Sequence, residues 1–243
     1  MNAKFYQFLK QEQFTHCFQP IYHLRENKVL GYEALLRTDM YENPMDVFQE
    51  AVNEKRLYEL DMRSIHKAIV AYKSAGKTKR NGILFLNVYP STIINQNFLP
   101  FLTKIISDGT LKSQEIILEV SESQLTVDYQ VLQNEIEQLN KLDVKIAIDD
   151  VGKGYSNLES LMNLDVAYIK LDKFLMRDLH ISKKKQLLLK HLIHYADDIY
   201  TPIIVEGIEN ELEKEIALDL GVTFGQGFGL CKPLHLSEVV SYR

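Results

Sequence analysis

The stretch THCFQPIYHLRENKVLGYEALLR, Thr15 to Arg37, decides how the chain begins to fold. It holds two strand candidates, Thr15–Leu24 and Lys28–Arg37, with only Arg25, Glu26 and Asn27 between them. So short a connection suits a hairpin, because parallel neighbours need a crossover of roughly a dozen residues or more. The first pair is therefore expected to be antiparallel. Beyond Arg37 the pattern becomes an alternation. Helical stretches at Asp46–Lys55 and Leu57–Ser74 precede a strand at Gly82–Val88, and another helical segment precedes a strand at Glu115–Ser121. Then come helix Tyr129–Leu142, strand Val144–Ile148, helix Asn157–Met162 and strand Val166–Leu171. Helix Lys183–Tyr200, strand Pro202–Gly207, helix Glu211–Leu220 and a short strand near Val222 complete the series. Short strands alternating with helices indicate parallel βα units. Eight strands predict an α/β fold, a closed (β/α)8 barrel of TIM type with one antiparallel strand, as a single domain over residues 1–243.

The 243 residues, 46% of them hydrophobic, suffice for such a core. A net charge of −5 argues against a nucleic-acid binder, which concentrates Lys and Arg against phosphates. The one basic run, Lys183–Lys185, reads as the solvated start of a helix. Cys17 and Cys231 lack spacing partners, so neither a disulfide framework nor a zinc knuckle is expected. The opening residues MNAKFYQFLKQEQF are too polar for a signal peptide, and no apolar run approaches the ~18 residues of a membrane span. A cytoplasmic protein without membrane association is expected.

Several strand candidates end in a polar residue. Glu33 and Arg37 lie on the second, Asn87 on the third, and Glu119 on the fourth with Glu122 just beyond. Asp149 and Asp150 close the fifth, Lys170 and Asp172 the sixth, Glu206 and Glu209 the seventh, and Gln226 follows the last. In a (β/α)8 barrel these ends meet on one face. Any one of them could face solvent; their recurrence after consecutive strands carries the signal. Carboxylates with an Asn carbonyl suit the hard cations Mg²⁺ and Mn²⁺. There are more such ligands than one ion needs, and two ions about 3.5–4 Å apart could clamp a phosphoryl displacement. The seven histidines are scattered and suggest no metal site.

KIAIDDVGKGYSNL, Lys145 to Leu158, places two acids side by side. Neighbouring side chains of a strand point to opposite faces, so one of the two would enter an apolar layer. The expectation is that the strand ends at Asp149 and the chain turns, letting both carboxylates reach one polar site.

Taken in order, these segments resemble the EAL family of cyclic di-GMP phosphodiesterases. GYEALLR (Gly31 to Arg37) carries the signature, with QPI at Gln19 to Ile21 before it. LNVYP, LEVSES, IDDVGKGYSNL, IKLD, VEGIE and GQGFGLCKP are similar to the family's later motifs, and the likeness runs from Phe18 to Pro233. It implies a barrel with one antiparallel strand, and a ligand set of Glu33, Asn87, Glu119 and Asp149 for one Mg²⁺ or Mn²⁺. Asp149 would bridge to a second ion held by Asp150, with Glu206 contributing. Lys170 would hold and polarise the attacking water, Gln226 would orient it or the ligand shell, and Glu206 would be the candidate general base. Gln19, Leu36, Arg37, Asp172, Glu209 and Pro233 match positions lining the substrate groove, where Arg37 suits a phosphate. The implied reaction converts cyclic di-GMP to linear pGpG. The likeness also implies a homodimer, with Glu122 anchoring the loop that follows the aspartates; any regulatory input would come through another protein, dimerisation or substrate level.

The loop departs from the family's usual Asp-Asp-Phe-Gly-Thr-Gly-Tyr-Ser-Ser-Leu at Val151, Lys153 and Asn157. Lys153 near the ions could repel one of them or contact a phosphate. The alternative to an active enzyme is a silent receptor or protein-binding adaptor, which the intact ligand set argues against. A barrel hydrolase acting on another phosphodiester is a further alternative.

Overall fold

In the computed structural model, which describes residues 2–74, 82–107, 111–125, 127–153, 159–235 and 238, eight strands close into a barrel in chain order. β1 (Thr15–His23) runs antiparallel to β2 (Lys28–Arg37) and to β8 (Phe224–Gly225). β3 (Ile83–Asn87), β4 (Ile116–Ser121), β5 (Lys145–Val151), β6 (Tyr168–Leu171) and β7 (Ile203–Val205) pair in parallel from β2 round to β8. The expected barrel and its antiparallel strand are both present. Gly31 lets β2 approach β3: a Cβ there would stand 2.2 Å from the Ile83 carbonyl oxygen.

Period-two alternation sorts each strand into an inward and an outward set. Ile21, Phe85, Ile117, Ala147 and Ile204 form a cluster of their own, flanked by Tyr168 and Phe224. The intervening residues, among them Leu84, Leu86, Leu118, Ile146, Ile148, Ile169 and Val205, join the larger core beneath the helices. The inward cluster is thus one apolar layer across the barrel, fed by β1, β3, β4, β5 and β7, with Leu30 of β2, Tyr168 of β6 and Phe224 of β8 packed against it.

Helices cover the outside. α3 (Leu57–Ser74) buries Leu60, Ile65, Ala68, Ile69 and Tyr72 along one stripe, with Asp61 buried among them. α6 (Tyr129–Lys141) buries Leu132, Ile136 and Leu139, spaced to share one helical face. Its start is set by Asp128, whose side chain accepts from the N–H groups of Gln130 and Val131. Such a cap contributes about 1 kcal/mol, against roughly 1.5–3 kcal/mol for each large side chain buried, so packing dominates. The polar opening residues form α1 (Ala3–Gln11), an element the sequence did not announce. Its Phe5, Phe8 and Leu9 pack with Phe14, Leu36, Val47 and Leu60 in a satellite core beside the barrel mouth.

β5 corrects one expectation. It does not end at Asp149 but continues to Val151, which pairs with Leu171, while Ile148 pairs with Ile169. Asp149 and Asp150 together therefore oppose the single residue Lys170, as in a β-bulge. Asp150 takes a φ of 61°, which turns the chain so that adjacent carboxylates need not point to opposite faces. Val151, at the position of the family's usual Phe, is 2% exposed and part of the main core. The expected helix Asn157–Met162 is seen as α7 (Glu159–Asn163); Gly154, Tyr155, Ser156, Asn157 and Leu158 lie outside the described residues.

Candidate active site

The candidate site is the next layer up the barrel. Asn87, Glu119, Asp149, Lys170, Glu206 and Gln226 each follow by two positions an inward residue of the apolar layer. Glu33 lies opposite Gln19 in the hairpin. Because β2 to β8 are parallel, this arithmetic brings all of them to the same end.

Lys170 is at the centre. Its fully buried Nζ lies 2.7 Å from Glu119 Oε1, 2.9 Å from Glu206 Oε1, 3.2 Å from Glu33 Oε2 and 3.3 Å from Asp149 Oδ1. Amides tie the rim together. Gln226 Nε2 donates to Glu33 Oε2 at 2.7 Å and to Glu206 Oε1 at 3.0 Å, and Asn87 Nδ2 donates to Glu33 Oε1 at 3.0 Å. The Asp150 N–H donates to Asp149 Oδ1 at 2.8 Å.

Four carboxylates around one ammonium leave negative charge in excess, and the titration of the groups reflects it. Burial pushes Lys170 down, but Asp149, Glu119, Glu206 and Glu33 outweigh it and hold the ammonium charged, well above its ordinary value. Burial raises Glu119 well above the carboxylate range, against the pull of Lys170. Asp149 is raised to about 6 by burial, opposed by Lys170 and helped by Glu33 and Asp150. Glu206 is raised to about 8 by burial and then by the charge of Asp149. Glu33 is lowered: burial pushes it up, but Lys170, Gln226 and Asn87 together overcome that.

The donors fit a hard divalent ion. Glu33, Glu119 and Asp149 offer oxygens within 4.8 Å of one another, and so, as a second group, do Asp150, Asp172 and Glu206. Asp172, expected in the substrate groove, thus stands with the second group, its Oδ1 also accepting from the Phe174 N–H at the start of α8 (Lys173–Met176).

A cavity of about 430 Å³ opens over the layer. Glu33, Asn87, Asp149, Asp150, Glu206 and Gln226 line it, with Gln19, Leu36 and Arg37 of the expected groove; Glu119 and Lys170 have no solvent exposure. Gln19 Nε2 donates to the Cys231 carbonyl at 3.1 Å, tying β1 to the chain before Pro233. Asp172, Glu209 and Pro233 lie outside the cavity lining. Glu209 is exposed, and its N–H donates to Glu213 Oε2 at 2.7 Å. Glu122 is buried and accepts from Ser160 Oγ at 3.2 Å, holding the far root of the loop after β5.

Some supporting residues escaped the sequence reading. Ser121 Oγ donates to Asp150 Oδ2 at 3.0 Å. Asp61, 1% exposed, accepts from the Tyr89 N–H at 3.0 Å and from Thr92 Oγ1 at 2.6 Å, fixing the turn two residues after Asn87. Burial raises Asp61 to about 7 against the pull of those two donors. An acid on the apolar stripe of α3 was the available signal. His16 lines the cavity, its Nε2 3.0 Å from Ser64 Oγ, and is lowered to about 4 by burial and then by Lys67 and Arg37.

The chain is 26% identical over 229 residues to the cyclic di-GMP phosphodiesterase PdeA of Borreliella burgdorferi, an alignment covering 93% of this chain and 34% of that protein. It spans about a third of the length of the curated relatives it matches. Among solved structures, the manganese and cy-diGMP complex of Klebsiella pneumoniae BlrP1 aligns with a TM-score of 0.81 at 27% identity, over 91% of this chain and 56% of that one. The PaMucR phosphodiesterase in its c-di-GMP complex shares the fold, with a TM-score of 0.85 at 23% identity over 97% of both chains. The family model described as EAL domain matches residues 2–233, and the chain belongs to the EAL domain family.

Proposed function

We propose that this chain hydrolyses one phosphodiester bond of cyclic di-GMP, releasing linear pGpG, with two Mg²⁺ or Mn²⁺ ions held by its carboxylate layer. The observation that carries this reading is the pair of three-carboxylate groups, Glu33/Glu119/Asp149 and Asp150/Asp172/Glu206, of which Glu33, Asp149, Asp150 and Glu206 line one cavity. The relative named as a cyclic di-GMP phosphodiesterase and the manganese-containing BlrP1 complex support the substrate and the ion class.

Bound there, hard cations supply Lewis acidity toward a phosphoryl oxygen and make water a nucleophile near neutral pH. The chain's own residues do the rest. Glu33, Asn87, Glu119 and Asp149 would hold one ion, the inner, and Asp150 and Glu206 the other, the outer. Lys170, kept as an ammonium by its four carboxylates, would hold the attacking water beside them and balance charge that shifts during displacement. Gln226 fixes the orientation of Glu33 and Glu206 through its single amide nitrogen. Glu206, which lines the cavity, is placed to take the proton from water. Arg37 presents a planar fork of donors to a phosphate in the same cavity.

The test is incubation of the protein with cyclic di-GMP and Mn²⁺ or Mg²⁺, with an EDTA control, and chromatography of pGpG. EDTA-sensitive production of pGpG supports the reading. No product, with calorimetric binding of cyclic di-GMP retained, replaces it with a receptor. Faster cleavage of another cyclic dinucleotide overturns the substrate.

A further inference from the structure

After β5 the chain turns back over its own carboxylate. Asp150 has a φ of 61°, Gly152 follows at 98°, and the Lys153 N–H donates to the Asp150 carbonyl at 3.1 Å. The turn carries the Lys153 ammonium onto the Asp150 side chain, with Nζ 3.0 Å from Oδ1. The other oxygen, Oδ2, accepts from Ser121 Oγ at 3.0 Å. Both oxygens of Asp150 are therefore engaged, one of them by a cation that the chain itself supplies. Asp150 also belongs, with Asp172 and Glu206, to the outer carboxylate group, and Lys153 lines the cavity beside it.

The two lysines of the site differ in mobility. Lys170 has no solvent exposure and meets four carboxylates, so it is a fixed part of the layer. The Lys153 side chain is 59% exposed and meets Asp150 on a flexible stem, so it can leave toward water.

We propose that Lys153 is a tethered competitor for the outer cation: its ammonium occupies Asp150 until a divalent ion displaces it, so the inner position fills before the outer. This rests on the two-cation reading above. An exposed ion pair is weak, so the competition delays the outer ion without excluding it. Once displaced, the ammonium remains near a doubly charged ion and adds repulsion. The two effects together are expected to weaken outer binding about tenfold.

The test is calorimetric Mn²⁺ binding to the metal-free protein and to its Lys153→Met, Lys153→Thr and Lys153→Arg variants. Wild type and Lys153→Arg should show a tight step followed by a weak one. Lys153→Met and Lys153→Thr should keep the tight step within twofold and tighten the weak step about tenfold. A weak step unchanged within twofold in both neutral variants, at wild-type melting temperature, overturns the proposal and leaves Lys153 a surface ion pair. Fewer than two Mn²⁺ per chain in the neutral variants overturns the two-cation reading itself, a different result from two unchanged steps.

Discussion

Lys170 Nζ lies 2.7 Å from Glu119 Oε1, and neither side chain has any exposure to solvent. A buried pair of this kind is costly to break, because removing one partner strands the other charge in a poorly solvating interior. Here three further carboxylates depend on the same ammonium.

Replacing Lys170 with Met should therefore destabilise the metal-free protein by about 3–5 kcal/mol. In a chain of this size that corresponds to a fall in melting temperature of roughly 6–20 °C. Mn²⁺ should restore part of the loss, since a bound cation supplies the missing charge. Thermal melting with and without Mn²⁺ checks both statements; a melting point within 2 °C of wild type in EDTA would contradict them.

The raised carboxylates set the pH dependence of the metal-free fold. Asp149 moves from 3.8 to about 6 and Glu206 from 4.5 to about 8. A carboxyl group raised on folding binds its proton more tightly in the native state. Its contribution to stability is complete below the unfolded value and is lost as pH rises through the folded one. In EDTA the melting temperature should fall between about pH 4.5 and pH 8. Divalent ions favour the charged carboxylates and should flatten the decline, and their affinity should rise over the same interval. Melting curves from pH 5 to 9 with EDTA or Mg²⁺ test this; a stability that climbs with pH in EDTA would refute it.

Glu33→Gln keeps the shape of a side chain that pairs with Lys170 at 3.2 Å and accepts from Asn87 and Gln226, but removes its charge. Release of pGpG should fall by at least about a hundredfold, with melting within a few degrees of wild type. Normal turnover in this variant would break the ligand assignment.

Asp61→Ala leaves the Tyr89 N–H and the Thr92 hydroxyl without their acceptor in a buried turn. The expected cost is about 1–3 kcal/mol, or roughly 2–12 °C in melting temperature. Asp61→Asn retains an acceptor and should lose less. Equal melting of the two variants would show that the hydrogen bonds do not hold the turn.

Much of this molecule was legible from residue order. Three residues between two strands dictated the antiparallel pair, and the recurrence of strand and helix dictated the barrel. A polar residue near the end of strand after strand then marked the face on which Glu33, Asn87, Glu119, Asp149, Lys170 and Glu206 meet. These are local rules, and a strand obeys them whatever surrounds it. The bulge at Asp149 and Asp150 was not legible, because only the pairing of Ile148 with Ile169 and of Val151 with Leu171 leaves two residues opposite one. Nor were the support of Asn87's turn by Asp61, the grouping of Asp172 with Asp150 and Glu206, or the closing of Lys153 onto Asp150. The sequence by itself determined which side chains reach the open end of the barrel, since strand period and direction are backbone properties. Only the tertiary structure decided which charges touch, because closing the barrel brings together groups as far apart in the chain as Gln226 and Glu33, and burial there makes each titrate in the field of the others.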